Sequence, residues 1–422
     1  MQYPRAGNFS PVSNIPAPLD SQAELLNNED AVTVPDGAVR MKKRAILGMV
    51  FVLLLAVGLS SAQKTSAEAL VLEREGKFAE AAEAWRSVVK KDPKDAGAWA
   101  SLGVVLSRQE KYAAAASAYR NALAIDQRLP GIEQNLGLAE FKQGHFAAAA
   151  GAFRAVLNAD PPNSQARTLL GLSYYGAKRF DLAAEYLESA SKSDPSNMEL
   201  HQVLAQSCLW ARKFGCAQEE FRRILEQNPN SAEAHVLTGE ALDGLSRTEE
   251  AIAEFETAEK ISPQAPNIHF GLGYLRWKTQ SYAQAQQEFE KELSLDPNNA
   301  QALAYLGDIQ WKNDQADAAL SYLNRARKID NDLRIVHVDL GEIYLQQKKY
   351  TAAKAELDRA IALDPGQSDA HYQLGHLYQA EGNKVAAEEE LHKVQELHEK
   401  SEENLVGKIS ASPPALNPSE ER

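Results

Sequence analysis

The chain is 422 residues long, 44% hydrophobic and 7% aromatic, which supports a packed core and excludes a wholly disordered polypeptide. Its 45 Lys and Arg stand against 58 Asp and Glu, a formal net charge of -13, and this acidic excess excludes nucleic acid as a partner, because phosphate recognition needs clustered positive charge. The 2 cysteines, Cys208 and Cys216, lack a CxxC spacing and are too few for a disulfide scaffold or a structural zinc module.

Residues 1–40 carry Pro4, Pro11, Pro16, Pro18 and Pro35 among Asn, Ser and Gly without helical or strand periodicity, and are expected to be disordered. Met41-Lys42-Lys43-Arg44 then precedes the charge-free apolar run Ala45 to Leu59 and the small residues Ser60, Ser61 and Ala62. Residues 41–62 read as a Sec-type export segment of a bacterial chain, cleaved after Ala62 as a signal peptide or retained as a single inner-membrane anchor through residues 45–62. Met41 would itself make a well-formed start, so residues 1–40 are either a genuine extension or an upstream misreading of the start. Either way the basic residues stay on the cytoplasmic side and the rest of the chain is delivered outside the inner membrane, to a periplasmic or other extracytoplasmic location.

From Ala62 onward the sequence repeats. Asp92, Asp126, Asp160, Asp194, Asn228, Ser262, Asp296, Asp330 and Asp364 follow one another at intervals of 34, and a second column at the same interval runs from Ala81 to Ala387 without a break. A third holds Gly103, Gly137, Gly171, Gly239, Gly273, Gly307, Gly341 and Gly375, with Ala205 and Ala69 as its other occupants. Small residues at fixed places let two helices approach closely. The larger column from Trp85 through Tyr119, Phe153, Phe221, Phe255 and Phe289 to Leu391 fills the space between successive hairpins. Proline after the Asp column ends the second helix in seven of ten units. Each unit is therefore a predicted helical hairpin, as in Ala98–Glu110 followed by Tyr112–Ala124.

The period, the small residues at positions eight and twenty, the aromatic at twenty-four and the proline at thirty-two resemble the tetratricopeptide repeat. Ten units fit from 62 to 401 without insertion. The resemblance implies an all-α, right-handed superhelical solenoid of helix-turn-helix units, and a role in binding protein segments rather than in catalysis. The family's preferred Trp at position four is present only as Trp99, with His201, His235, His269, His337 and His371 elsewhere. Gln127, Asn331 and Glu399 replace the proline. The charged second helix of the last unit, Lys384 to Lys400, is expected to cap the stack, and residues 402–422, with Pro413, Pro414 and Pro418, to form a disordered tail.

No catalytic motif is present, and outside the repeats only the export segment and the tails remain, so no enzyme, cofactor or metal site is expected. The histidine column is not a metal site, since equivalent helices lie about 8–10 Å apart while zinc holds its ligands at about 2 Å. It reads as half-buried substitutes for the family's Trp. Cys208 and Cys216 sit symmetrically about Arg212 in one hairpin turn. Export would permit a disulfide between them, but the Cα separation of about 4.4–6.8 Å that it needs is tighter than most helix pairs offer. Two free thiols filling small gaps are the favoured reading, with the disulfide as the alternative.

Positions two, five, nine and twelve of each first helix follow helical spacing on the flank away from the core and are expected to line a protein-binding groove. There Phe270, Tyr274, Trp277 and Trp311 continue a ladder begun by Phe141 and Tyr175, flanked by Glu233, Glu240, Asp243, Asp308 and Glu342. The expected ligand is a protein or peptide segment with apolar anchors and some Lys or Arg. The expected role is a scaffold for protein assembly or, alternatively, a dedicated accessory subunit of an envelope machine such as a pilus, secretion, polysaccharide or outer-membrane assembly system. The residues of a carboxylate-clamp groove are absent, with Ala100, Val104, Gln134, Asn135, Leu138, Thr168 and Leu172 in their places.

Overall fold

The computed structural model describes residues 61–411, and every regular element among them is an α-helix. The described chain divides between Pro229 and Asn230 into two compact units. The first holds α1 (Ser61–Arg74), α2 (Phe78–Lys91), α3 (Ala96–Arg108), α4 (Tyr112–Ile125), α5 (Ile132–Lys142), α6 (Phe146–Ala159), α7 (Ser164–Gly176), α8 (Phe180–Ser193), α9 (Met198–Trp210) and α10 (Phe214–Gln227). The second holds α11 (Ala232–Gly244), α12 (Thr248–Ile261), α13 (Ile268–Lys278), α14 (Tyr282–Leu295), α15 (Ala300–Lys312), α16 (Ala316–Ile329), α17 (Arg334–Gln346), α18 (Tyr350–Leu363), α19 (Asp369–Ala380) and α20 (Lys384–Ala411). Odd-numbered helices are the first of each hairpin and even-numbered helices the second. Residues 1–40 and the apolar run Ala45 to Leu59 lie outside the described residues, and no described helix is long and apolar enough to cross a membrane.

The sequence columns map onto specific contacts. Each glycine of the small column faces the large residue of its own second helix, so a methyl on Gly273 would stand 2.7 Å from the Phe289 ring and one on Gly307 2.6 Å from Leu323. Phe255 is gripped twice, since a Cβ on Gly239 of its own hairpin or on Gly271 of the next would collide with opposite edges of its ring. The alanine column is fully buried from Ala81 to Ala353.

Turns follow the same period. The first helices end in a Schellman arrangement, as where Glu110 N–H bonds Ser107 O at 2.9 Å and Lys111 N–H bonds Leu106 O at 3.0 Å. The residue after the cap is left-handed at Gly76, Gly144 and Gly382, and equally at Glu110, Lys178, Arg212, Ser246, Gln280, Asp314 and Lys348, whose φ lies between 57° and 63°. The Asp column closes the second helices: Asp92 Oδ1 accepts from Lys94 N–H at 3.1 Å and Asp330 Oδ1 from Asp332 N–H at 2.8 Å, each an Asx turn. The next first helix is capped where the preceding residue is polar, as by Asp95, Asn163, Asn197, Ser231 and Asn299. Pro130 and Pro266 delay α5 and α13, whose N-caps Gly131 and Asn267 are left-handed and make no side-chain cap. The last helix is a correction: α20 continues to Ala411, through part of the stretch expected to be a disordered tail from 402. Residues 412–422 lie outside the described residues.

Candidate protein-binding face

In the second unit the first-helix face is built around Tyr305, a residue outside the expected stripe. Its ring lies 4.9 Å from that of Trp277, 5.7 Å from Tyr274, 6.0 Å from Phe270 and, stacked, 5.5 Å from Phe289. Phe270 and Tyr274 are 5% and 9% exposed. They are part of the packing between hairpins and not open anchors, which corrects the ladder expected there. The same correction holds in the first unit for Phe141, edge-on to Phe146, and Tyr175, stacked on Trp210 at 5.8 Å. Helical hairpins this close leave these rings, at positions five, nine and twelve, wedged between neighbouring helices. Trp277 and Trp311 stay half-buried.

Both indoles spend their polar edge on the next first helix. Trp277 Nε1–H donates to Asp308 Oδ2 at 2.5 Å, and Trp311 Nε1–H donates to Glu342 Oε2 at 3.0 Å. Tyr175 O–H donates in the same way to Gln206 Oε1 at 2.6 Å. Position twelve of one unit thus reaches position nine of the next, so the aromatics hold register between hairpins. In the first unit Gln134 Nε2–H donates to Gln165 Oε1 at 2.8 Å.

The carboxyls of the second unit's face divide into partnered and unpartnered groups. Asp243 pairs with Lys278 at 2.6 Å. Asp308 pairs with Lys312, whose ammonium lies 5.7 Å from the centre of the Trp277 ring. Glu342 is held by neutral donors, Trp311 and Gln373. Glu240 has neither ion pair nor hydrogen bond among the described residues, and burial pushes its carboxyl up to about 7. Burial, with the charge of Asp243 adding to it, also pushes the Tyr274 phenol up to about 12.

The histidine column is a set of clasps. His269 Nδ1 lies 2.9 Å from Glu288 Oε2 and Nε2 3.0 Å from the Pro263 carbonyl; His337 contacts Glu356 at 2.6 Å and the Asn331 carbonyl at 2.9 Å. His201, His235 and His371 face Glu220, Glu254 and Glu390 in the same way. Each ring ties its own second helix, and in several units the preceding turn as well, and His201, His269, His337 and His371 are buried where half-burial was expected. The nineteen-residue His-to-Glu spacing was visible in the sequence. Glu259, His269 and Glu288 converge closely enough to suggest a metal, yet Lys291 Nζ lies 3.0 Å from Glu259 and 3.2 Å from Glu288, and Arg276 lies 2.8 Å from Glu288. Those cations already supply the positive charge.

Cys208 and Cys216 are joined as a disulfide, with Cα atoms 5.8 Å apart. The favoured free thiols are corrected, because the tight α9–α10 turn holds the two backbones within bridging distance.

The tetratricopeptide repeat model matches residues 66–130, 135–197, 204–266 and 270–333, and a TPR repeat model matches 341–382. Among curated proteins none matches the sequence. Similar solved structures include the APC/C hetero-tetramer Cut9-Hcn1, 14% identical over 80% of this chain and 73% of that one with a TM-score of 0.48. YrrB, described as a TPR protein with an unusual peptide-binding site, is 25% identical over 46% of this chain and all of its own, with a TM-score of 0.35. PilF of Pseudomonas aeruginosa is 23% identical over 52% of this chain and 97% of its own, with a TM-score of 0.43.

Proposed function

Because the chain belongs to the tetratricopeptide-repeat family, whose members generally serve as non-catalytic scaffolds for protein interaction, we propose that its second unit binds a protein segment along the first-helix face, outside the inner membrane. The observation that carries this reading is the pairing of two half-buried tryptophans, Trp277 and Trp311, with a border of carboxyls that outnumber the lysines beside them. Half-buried indoles offer a large apolar contact area to an incoming side chain, and surplus negative charge steers a segment bearing Lys or Arg.

A photo-crosslinking residue at the exposed positions Glu233 and Tyr372, and a control at the exposed Glu290 of α14, test the face in cells. Crosslinked partner from the first two and none from the third is the expected result. Crosslinks from Glu290 alone would place the partner on the second helices and end this reading. A single co-purifying envelope assembly would favour the accessory-subunit role, and a set of unrelated partners the general scaffold. For the export segment, the mature chain is expected to begin at Gln63; a mature chain that begins at Met1 removes cleavage.

A further inference from the structure

Asp339 stands on α17 one position beyond the stripe read from the sequence. It is 5% exposed, and its Oδ2 has no hydrogen-bond partner. A carboxyl oxygen in that position forfeits water without replacement. The cations around it have carboxylate partners of their own. Lys312 of α15 is bound to Asp308, and Arg334, on the same helix as Asp339, donates through Nη1 to Asp369 Oδ2 at 3.0 Å while its Nε makes no hydrogen bond. From α19 the nearby polar group is Gln373, which donates to Glu342. Burial, with the charges of Asp308 and Glu342, holds the Asp339 carboxyl well above the usual carboxylate range, and Lys312 and Arg334 offset only part of that.

Glu240 repeats the pattern on α11 of the same unit, half-buried and without a partner among the described residues. The face therefore contains two carboxyls that the protein itself does not neutralise, beside others that it does. A chain built only for stability would gain by replacing such groups with neutral ones.

We propose that Asp339 receives the lysine ammonium or arginine guanidinium of a bound protein segment, and that Glu240, on its own first helix, receives another, so that recognition rests on cationic side chains set beside apolar ones. This inference rests on the groove reading above and specifies its chemistry. A lysine or arginine can lay its aliphatic stem against the half-buried Trp311 while its head reaches the carboxyl, and the ion pair then forms in a partly desolvated site where geometry discriminates strongly against a neutral or acidic residue.

Panning a random peptide display library on the full-length chain tests this. Captured peptides are expected to be enriched severalfold in Lys or Arg next to apolar residues. Asp339→Asn, and separately Glu240→Gln, should lose that basic enrichment and weaken a selected lysine peptide by about tenfold or more, while apolar enrichment persists. Asp358→Asn, which removes an exposed partner of Lys354 on α18, should change nothing. Peptides captured without regard to charge, or basic enrichment that survives both variants, overturn the cation site and leave the groove standing. A library that yields no binder overturns both. Should Asp339→Asn lower the melting temperature, Glu240→Gln decides alone.

Discussion

Glycine-to-alanine substitution inside a helix ordinarily stabilises by about 0.5–1 kcal/mol, because alanine loses less backbone freedom on folding. Gly271→Ala is expected to do the opposite. Its new methyl would lie far inside van der Waals range of the Phe255 ring, and normal carbon contacts of about 3.5–4.0 Å require a retreat of about 1.5 Å. The ring has nowhere to go, since it is 1% exposed and its other edge already rests on Gly239. Overpacking of this kind costs about 1–3 kcal/mol, so after the helix gain is subtracted the variant should be destabilised by about 0.5–2 kcal/mol. Gly151→Ala supplies the control: it lies within α6 with nothing inside 4 Å of the added carbon, and should stabilise by roughly the ordinary amount. Urea unfolding of the full chain followed by circular dichroism reads both signs. Gly271→Ala as stabilising as Gly151→Ala would refute the claim that the small columns exist to seat the large ones, and Gly271→Ala combined with Phe255→Leu should recover part of the loss.

Four further expectations follow from named groups. Glu240 favours its protonated form in the folded chain, so its penalty is absent below pH about 4.5, grows as pH rises towards about 7 and is complete above that. Glu240→Gln should therefore stabilise by roughly 1–3 kcal/mol at pH 8 and not at pH 4; equal effects at both would contradict the buried carboxyl. His337→Ala removes a buried ring with two hydrogen bonds and strips Glu356 of one donor, a loss of about 2–4 kcal/mol in urea unfolding; an unchanged midpoint would show the clasp to be idle. Trp277→Ala with Trp311→Ala should cost about 2–4 kcal/mol, as half-buried packing and two indole hydrogen bonds disappear, whereas exposed anchors would leave melting unmoved. Thiol titration in denaturant without reductant should find no thiol; two would exclude the Cys208–Cys216 bond.

The hairpins were legible because their signal is a spacing. Small residues at Gly273 and Ala285 and a large one at Phe289 cannot exchange places without collision, so the columns encode helix contact directly. The caps were legible in principle as well, since Asn163 or Asn299 before a helix has one good use. Three things were not. The face was read at positions two, five, nine and twelve, and this omitted Tyr305 and Asp339 at position six, which lie on the same broad flank of a helix with 3.6 residues per turn. Burial of Phe270 and Tyr274 depends on how closely the next first helix approaches, a distance that no single unit specifies. The disulfide turned on the width of one hairpin near its turn, where a fraction of an ångström decides whether two sulfurs can meet.

The left-handed turn residues carry a further consequence. A non-glycine residue held at positive φ costs about 1–2 kcal/mol, and the chain accepts this at Glu110, Lys178, Arg212, Ser246, Gln280, Asp314 and Lys348, although Gly76, Gly144 and Gly382 show that glycine fits the same turn. Each replacement by glycine would recover half of that cost, about 0.5–1 kcal/mol, after glycine's own entropy loss. Sites a full repeat apart share no partners, so their gains add. The sum is comparable with the whole folding free energy of an ordinary domain. The chain thus holds thermal headroom that its own sequence has left untaken, in turn residues that lie outside the helices, and a heat-resistant form could be reached without altering Trp277, Trp311, Asp339 or Glu240.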